Sequence, residues 1–135
     1  MNSTLDNHVG SISILPSLKG RKMPADVRDF MAQIGISDGT FMKVIKDCMH
    51  YLEQRDILPS ELSVRQVVDI EEPEHKYLRV LFVLPMRDVA DAVKLQTRFY
   101  TDAYRDVLKR HLGENRGESE VFRRRVNIVF DVESS

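Results

Sequence analysis

Tryptophan is missing from this chain of 135 residues, and cysteine occurs once, as Cys48. A single thiol excludes an internal disulfide framework and suits a reducing compartment. No long apolar run is present: the longest, VLFVLPM at residues 80–86, falls well short of the roughly 20 residues that span a bilayer. The opening stretch MNSTLDNHVGSISILPS lacks the basic start and apolar centre of a secretory signal. The expectation is an intracellular, cytoplasmic protein with no membrane contact. Neither sign of charge prevails, with 20 Lys and Arg against 21 Asp and Glu. Binding to nucleic acid or to an anionic surface therefore needs a local patch.

Catalytic patterns are also missing. There is no Gly-x-Ser-x-Gly elbow, no phosphate-cradling Gly-x-x-x-x-Gly-Lys-Ser/Thr loop and no His-Glu-x-x-His helix. Cys48 and His50 are the one close pair of good metal ligands, but residues two apart on a helix do not face each other. His8, His75 and His111 have no partner at ligand spacing. No metal, no cofactor and no enzymatic activity is expected, and Cys48 reads as a small core hydrophobe.

Hydrophobic residues at 42% and charged residues at 30% describe an ordinary globular chain. Its length fits one domain over 1–135, with residues 1–8 polar and disordered. Val9 to Leu15 reads as a weak strand, and PSLKGRKMP as a loop. A helical pair follows over 24–56. Val27, Phe30, Met31 and Ile34 recur at helical spacing up to Gly35, and Phe41, Val44, Ile45, Cys48, Tyr51 and Leu52 do so after Ser37 and Asp38.

Over 62–132 the pattern predicts a β-β-α-β part. Leu62, Val64, Val68 and Ile70 alternate with polar residues, EEPEHK is a turn, and YLRVLFVLP is a central strand. A single helix is expected from about Arg87 to Leu112, with Val89, Ala92, Val93, Phe99, Ala103 and Val107 facing inward. GENRGESE reads as a loop, and a last strand runs from Phe122 to Val132. The order predicts an α+β, ferredoxin-like β-α-β-β-α-β sandwich with a split first helix. The alternative, if the first strand fails, is an N-terminal helical pair plus a β-β-α-β unit.

Alternation assigns Arg65, Val67, Tyr77, Arg79, Leu81, Val83, Arg125, Asn127 and Val129 to the sheet face away from the helices. Four aliphatic side chains among them form a patch that invites a partner. The leading expectation is a non-catalytic binding protein, a regulatory or accessory subunit whose half-apolar sheet face meets a protein partner or a second copy of the chain.

A second reading starts from QIGISDGTFMKVI at residues 33–45. With Met31 before it, the stretch resembles a helix-turn-helix segment, which implies a nucleic-acid-binding regulator using residues 31–46. Lys43 and Lys46 would meet phosphate, helped by Lys19, Arg21 and Lys22 in the preceding loop. Asp38 and Asp47 oppose it, because phosphate neutralisation dominates such affinity. The plain reading is two helices joined by a tight turn. Arg123, Arg124 and Arg125 form one more basic cluster, which with Arg65 and Arg79 would suit RNA. Sheet readers of RNA stack bases on exposed aromatics, however, and Tyr77 is the one candidate. Pairing of these arginines with the EEPE carboxylates is the simpler expectation.

Overall fold

The computed structural model describes residues 24–113 and 115–133. The expected disordered start, the weak strand at Val9 to Leu15, and the loop with Lys19, Arg21 and Lys22 lie outside these residues.

Helix α1, Ala25–Ile34, begins after Pro24 and buries Val27, Phe30 and Met31. Gly35 ends it at φ 85°. This left-handed backbone favours glycine, and it lets the N–H of Ile36 reach the carbonyl of Met31 at 2.9 Å. Ser37 then caps helix α2, Asp38–Glu53, its Oγ accepting from the N–H of Thr40 at 3.2 Å. The inward face of α2 is Phe41, Val44, Ile45, Cys48, Tyr51 and Leu52, all buried, as the spacing required.

Strand β1, Glu61–Val68, and strand β2, Lys76–Leu84, form an antiparallel hairpin. Asp69 shapes the turn between them, its carboxylate accepting from the N–H of Glu71 at 2.9 Å. Strand β3, Val126–Val132, lies parallel to β2 and gives the sheet order β1-β2-β3. Among the described residues the protein is thus α+β with a three-stranded mixed sheet. The β-α-β-β-α-β arrangement is not matched. In a split unit another strand separates the last strand from the one before it, whereas here β3 pairs directly with β2.

The connection from β2 to β3 departs from the sequence reading in two places. The expected single helix is α3, Val89–Arg98, then a π-helical turn, Phe99–Ala103, then α4, Tyr104–Leu112. A π-turn inserts an extra residue into the helix and rotates the inward face. Ala92 faces the core before it, Phe99 at its first position, and Tyr104, Val107, Leu108 and Leu112 after it. Val89 and Val93, expected inward, are 55% and 54% exposed. The turn also lets Phe99, Tyr100 and Tyr104 meet as one aromatic group, with ring centroids 4.8 to 5.8 Å apart.

The second departure is α5, Arg116–Arg125, where a loop and the start of a strand were expected. Asn115 starts it by accepting from the N–H of Glu118 at 3.0 Å. Arg123, Arg124 and Arg125 fill its last turn, at the negative end of the helix dipole, which they complement. Phe122, assigned to a strand from its spacing, is a buried helix residue stacked on Phe41 with centroids 6.4 Å apart.

The helices cover one face of the sheet. Leu62, Val64, Leu78, Val80, Phe82, Leu84, Ile128 and Phe130 on that face are at most 3% exposed. They join the inward faces of the helices in one apolar cluster. The outer edge of β3 is closed by side chains. Tyr100 accepts from the N–H of Ile128 at 2.8 Å and donates to its carbonyl at 3.1 Å, and Gln96 Oε1 accepts from the N–H of Phe130 at 2.8 Å.

Candidate functional site

Two surfaces stand out, one on the face of the sheet left uncovered among the described residues and one on the far side of α5. Strand register fixes the first. Residues directly opposite each other share a face, so the uncovered face is built in four rows across the strands. The first is Glu61, Val83 and Asp131; the second is Ser63, Leu81 and Val129. Arg65, Arg79 and Asn127 make the third, and Val67 with Tyr77 the fourth. Acidic, largely apolar, cationic and apolar rows thus follow one another along the strands, with Ser63 of the second row itself buried.

Besides Asn127, the register brings seven of the nine residues expected on this face together: Arg65, Val67, Tyr77, Arg79, Leu81, Val83 and Val129. Arg65 is exposed, and the other six are half-buried. Arg125 stands elsewhere. It ends α5, donates from Nε to the carbonyl of Lys76 at 2.8 Å, and lies 5.5 Å from the ring centre of Phe30. Its role there is to tie α5 to β2 and α1. Arg65 and Arg79 are directly opposite each other, an arrangement of like charges that destabilises a bare sheet. Arg79 is steadied by donating to the Tyr77 hydroxyl at 3.4 Å.

The second surface is cationic. A cleft of about 720 Å³ lies between α4 and α5, lined by Arg105, Lys109, Arg116 and Arg123, with Asp106 the one lining carboxylate among the described residues. Arg123 also lines a smaller cleft of about 320 Å³, whose walls include His75, Tyr77, Arg124 and Asn127. The rings of His75 and Tyr77 stand 6.2 Å apart there. Among the described residues, none of these five cations forms an ion pair. The expected pairing of Arg123 and Arg124 with the EEPE carboxylates is not present.

Sequence reasoning missed Arg105, Lys109 and Arg116, although a signal existed. Arg105 and Lys109 are four apart on α4, and Arg116 and Arg123 are seven apart on α5, so each pair shares a helix face. The second pair is invisible until 116–125 is read as a helix.

The helix-turn-helix-like segment is built as a packed pair. Lys43 and Lys46 are exposed on α2. Asp38 pairs with Arg28 of α1 at 3.3 Å. Asp47 receives His111 Nε2 at 2.7 Å and Arg110 at 2.5 Å, which fastens α2 to α4. Met31 and Phe41, on either side of the turn, are fully buried. Cys48 is buried too, and its thiol is pushed well above the ordinary range by desolvation and by the neighbouring Asp47 charge. No group of three His, Cys, Asp or Glu residues stands close enough to hold a metal among the described residues. No helix among them is long and apolar enough to cross a membrane. Compared with family models, curated proteins and solved structures, the chain finds no match.

Proposed function

We propose that the chain is a non-catalytic binding protein, a regulatory or accessory subunit, and that its uncovered sheet face takes a second copy of itself. The observation that carries this reading is the order of the rows. A two-fold axis lying in the interface, across the strands and through the Ser63-Leu81-Val129 row, lays that row on its own copy. The same rotation sets the row of Glu61 and Asp131 over the row of Arg65 and Arg79. Glu61 then meets Arg65 of the second copy on each side of the central row, with Asp131 one strand away from Arg79, and the repulsion between Arg65 and Arg79 is offset by charges from the second copy. An axis along the strands would instead set Glu61 against Asp131, so the charge order selects one orientation.

Sedimentation velocity across a concentration series tests this. The wild-type chain should be a dimer. Leu81→Arg, at the centre, should leave a folded monomer. Arg65→Glu should weaken association, and Arg65→Glu combined with Glu61→Arg should restore it, because the swap re-creates opposite charges across the axis. A wild-type monomer at every concentration, or a dimer indifferent to Leu81→Arg, overturns the proposal.

The helix-turn-helix-like pair is the weaker candidate. Asp38 and Asp47 are committed to packing contacts, and Lys43 and Lys46 are the two basic residues between them.

A further inference from the structure

We infer that the cationic cleft between α4 and α5, with the aromatic cleft that shares Arg123 with it, binds single-stranded nucleic acid. The inference rests on different residues from the sheet-face reading, apart from the rim residues Tyr77 and Asn127, and does not depend on it.

Charge is the first argument. The chain carries a net charge of −1, yet Arg105, Lys109, Arg116 and Arg123 converge on one cleft in which, among the described residues, Asp106 is the only lining carboxylate. Four like charges gathered without an ion pair among the described residues repel one another, and an anionic ligand relieves that repulsion. Spacing is the second. The two pairs come from facing helices, one from α4 and one from α5, so they line a groove rather than a point. A groove suits a chain of phosphates better than a single one. Three of the four cations are arginines, whose planar forks grip phosphate oxygens in pairs.

The aromatic cleft supplies what a simple polyanion does not need. This second cleft, which shares Arg123 with the first and is also lined by Arg124, presents His75 and Tyr77, both half-buried, with Asn127 among its walls. Ring faces of this kind accept stacked bases of any sequence, and an amide offers a donor and an acceptor to a base edge. A duplex keeps its bases stacked inside, so the arrangement fits a single strand. Phosphates on the arginines and a base against His75 and Tyr77 fill both clefts with one ligand.

The test is fluorescence anisotropy of a labelled oligouridylate and oligodeoxythymidylate, each about 12 nucleotides long, within the span one small domain covers. With about four phosphates neutralised, affinity should fall roughly 50-fold between about 50 and 200 mM salt. Arg116→Glu with Arg123→Glu should abolish binding while the far-ultraviolet circular dichroism stays unchanged. Should that pair disturb α5, Arg105→Gln with Lys109→Gln on α4 should still weaken binding and flatten the salt dependence. His75→Ala with Tyr77→Leu should weaken the oligonucleotides about tenfold or more and leave heparin, an anion without bases, unaffected. Leu81→Arg should bind as the wild type does, which separates this inference from the dimer. No binding of either oligonucleotide at low salt overturns the inference. So does heparin binding equal to oligonucleotide binding with no response to the aromatic variants, which would make the cleft a general anion site.

Discussion

The two faces of the sheet are made by alternate residues of the same three strands, yet they obey different rules. On the covered face, Leu78, Val80, Phe82 and Leu84 of β2 have no exposed surface. One position along, Tyr77, Arg79, Leu81 and Val83 are each half-buried, with nothing of matching size laid over them among the described residues. The first set is held by packing on every side, so its tolerance is set by volume. The second is ordered by charge and by rows, so its tolerance is set by what it meets. A residue of either face can be hydrophobic, but only on the covered face does hydrophobicity decide whether the chain folds.

The largest effect should come from breaking that contrast at its centre. Phe82 is fully buried, and its ring meets Phe130 edge-on with centroids 5.5 Å apart. Phe82→Ala should cost about 3–5 kcal/mol through lost burial and the cavity left behind. Leu81→Ala, its neighbour on the other face, should cost only about 1 kcal/mol to the folded monomer. Urea denaturation of both variants checks this, at a concentration low enough to keep the chains apart. Similar costs at the two positions would mean that both faces are covered.

A smaller effect should follow from opening the edge of the sheet. Tyr100 and Gln96 occupy the outer N–H groups of β3, and Ile128, one of the residues they hold, is fully buried. Tyr100→Phe keeps the ring and removes the hydroxyl, leaving the N–H and carbonyl of Ile128 without that partner. The expected loss is about 1–3 kcal/mol, the cost of an unsatisfied buried polar group. Faster amide exchange at Ile128, with exchange at Val80 little changed, would localise the effect to the edge. Loss of protection throughout the sheet would show instead that the hydroxyl supports the whole fold.

Much of this contrast is legible in the sequence, and the illegible parts share a cause. Period-two alternation assigns Arg65, Tyr77, Leu81 and Val129 to one face, and the register brings them there. The turn at Gly35 and the inward face of α2 follow from a single helical period. Two features break a period. The π-turn at Phe99–Ala103 rotates the inward face, so extrapolation from Val89 and Val93 points the wrong way. Helix α5 is polar, with one buried residue, Phe122, so apolar spacing carries almost no helical signal there. Phe122, Val126, Ile128, Phe130 and Val132 stand at even positions, broken only by Arg124, which mimics a longer strand. The cationic cleft is hidden for the same reason, since half of it lies on α5. Pairing across the sheet is harder still to read. Alternation gives each strand two faces but says nothing about which strands are neighbours, so the parallel β2–β3 pair is visible only in the structure.

The smallest effect tests how dry the covered side is. Cys48 lies fully buried on α2, and burial together with Asp47 raises its thiol well above the ordinary range. The unfolded chain therefore releases this proton first as pH rises, while the folded chain retains it. With more protons bound in the folded state, stability must fall with pH above the ordinary thiol value of about 8.5 and be independent of this group below it. The slope for one such group approaches about 1.4 kcal/mol per pH unit. Tyr100, pushed up to about 12 by burial, adds a similar decline only above the ordinary phenol value. Between about pH 8.5 and 10, Cys48→Ala should therefore lose stability less steeply than the wild type. Chemical denaturation at a series of pH values measures the difference. Thiol labelling of the native protein should be slow and should become fast in denaturant. Rapid labelling of the folded chain, or parallel pH profiles for wild type and Cys48→Ala, would place water beside α2 and remove the distinction between a packed side and an open one.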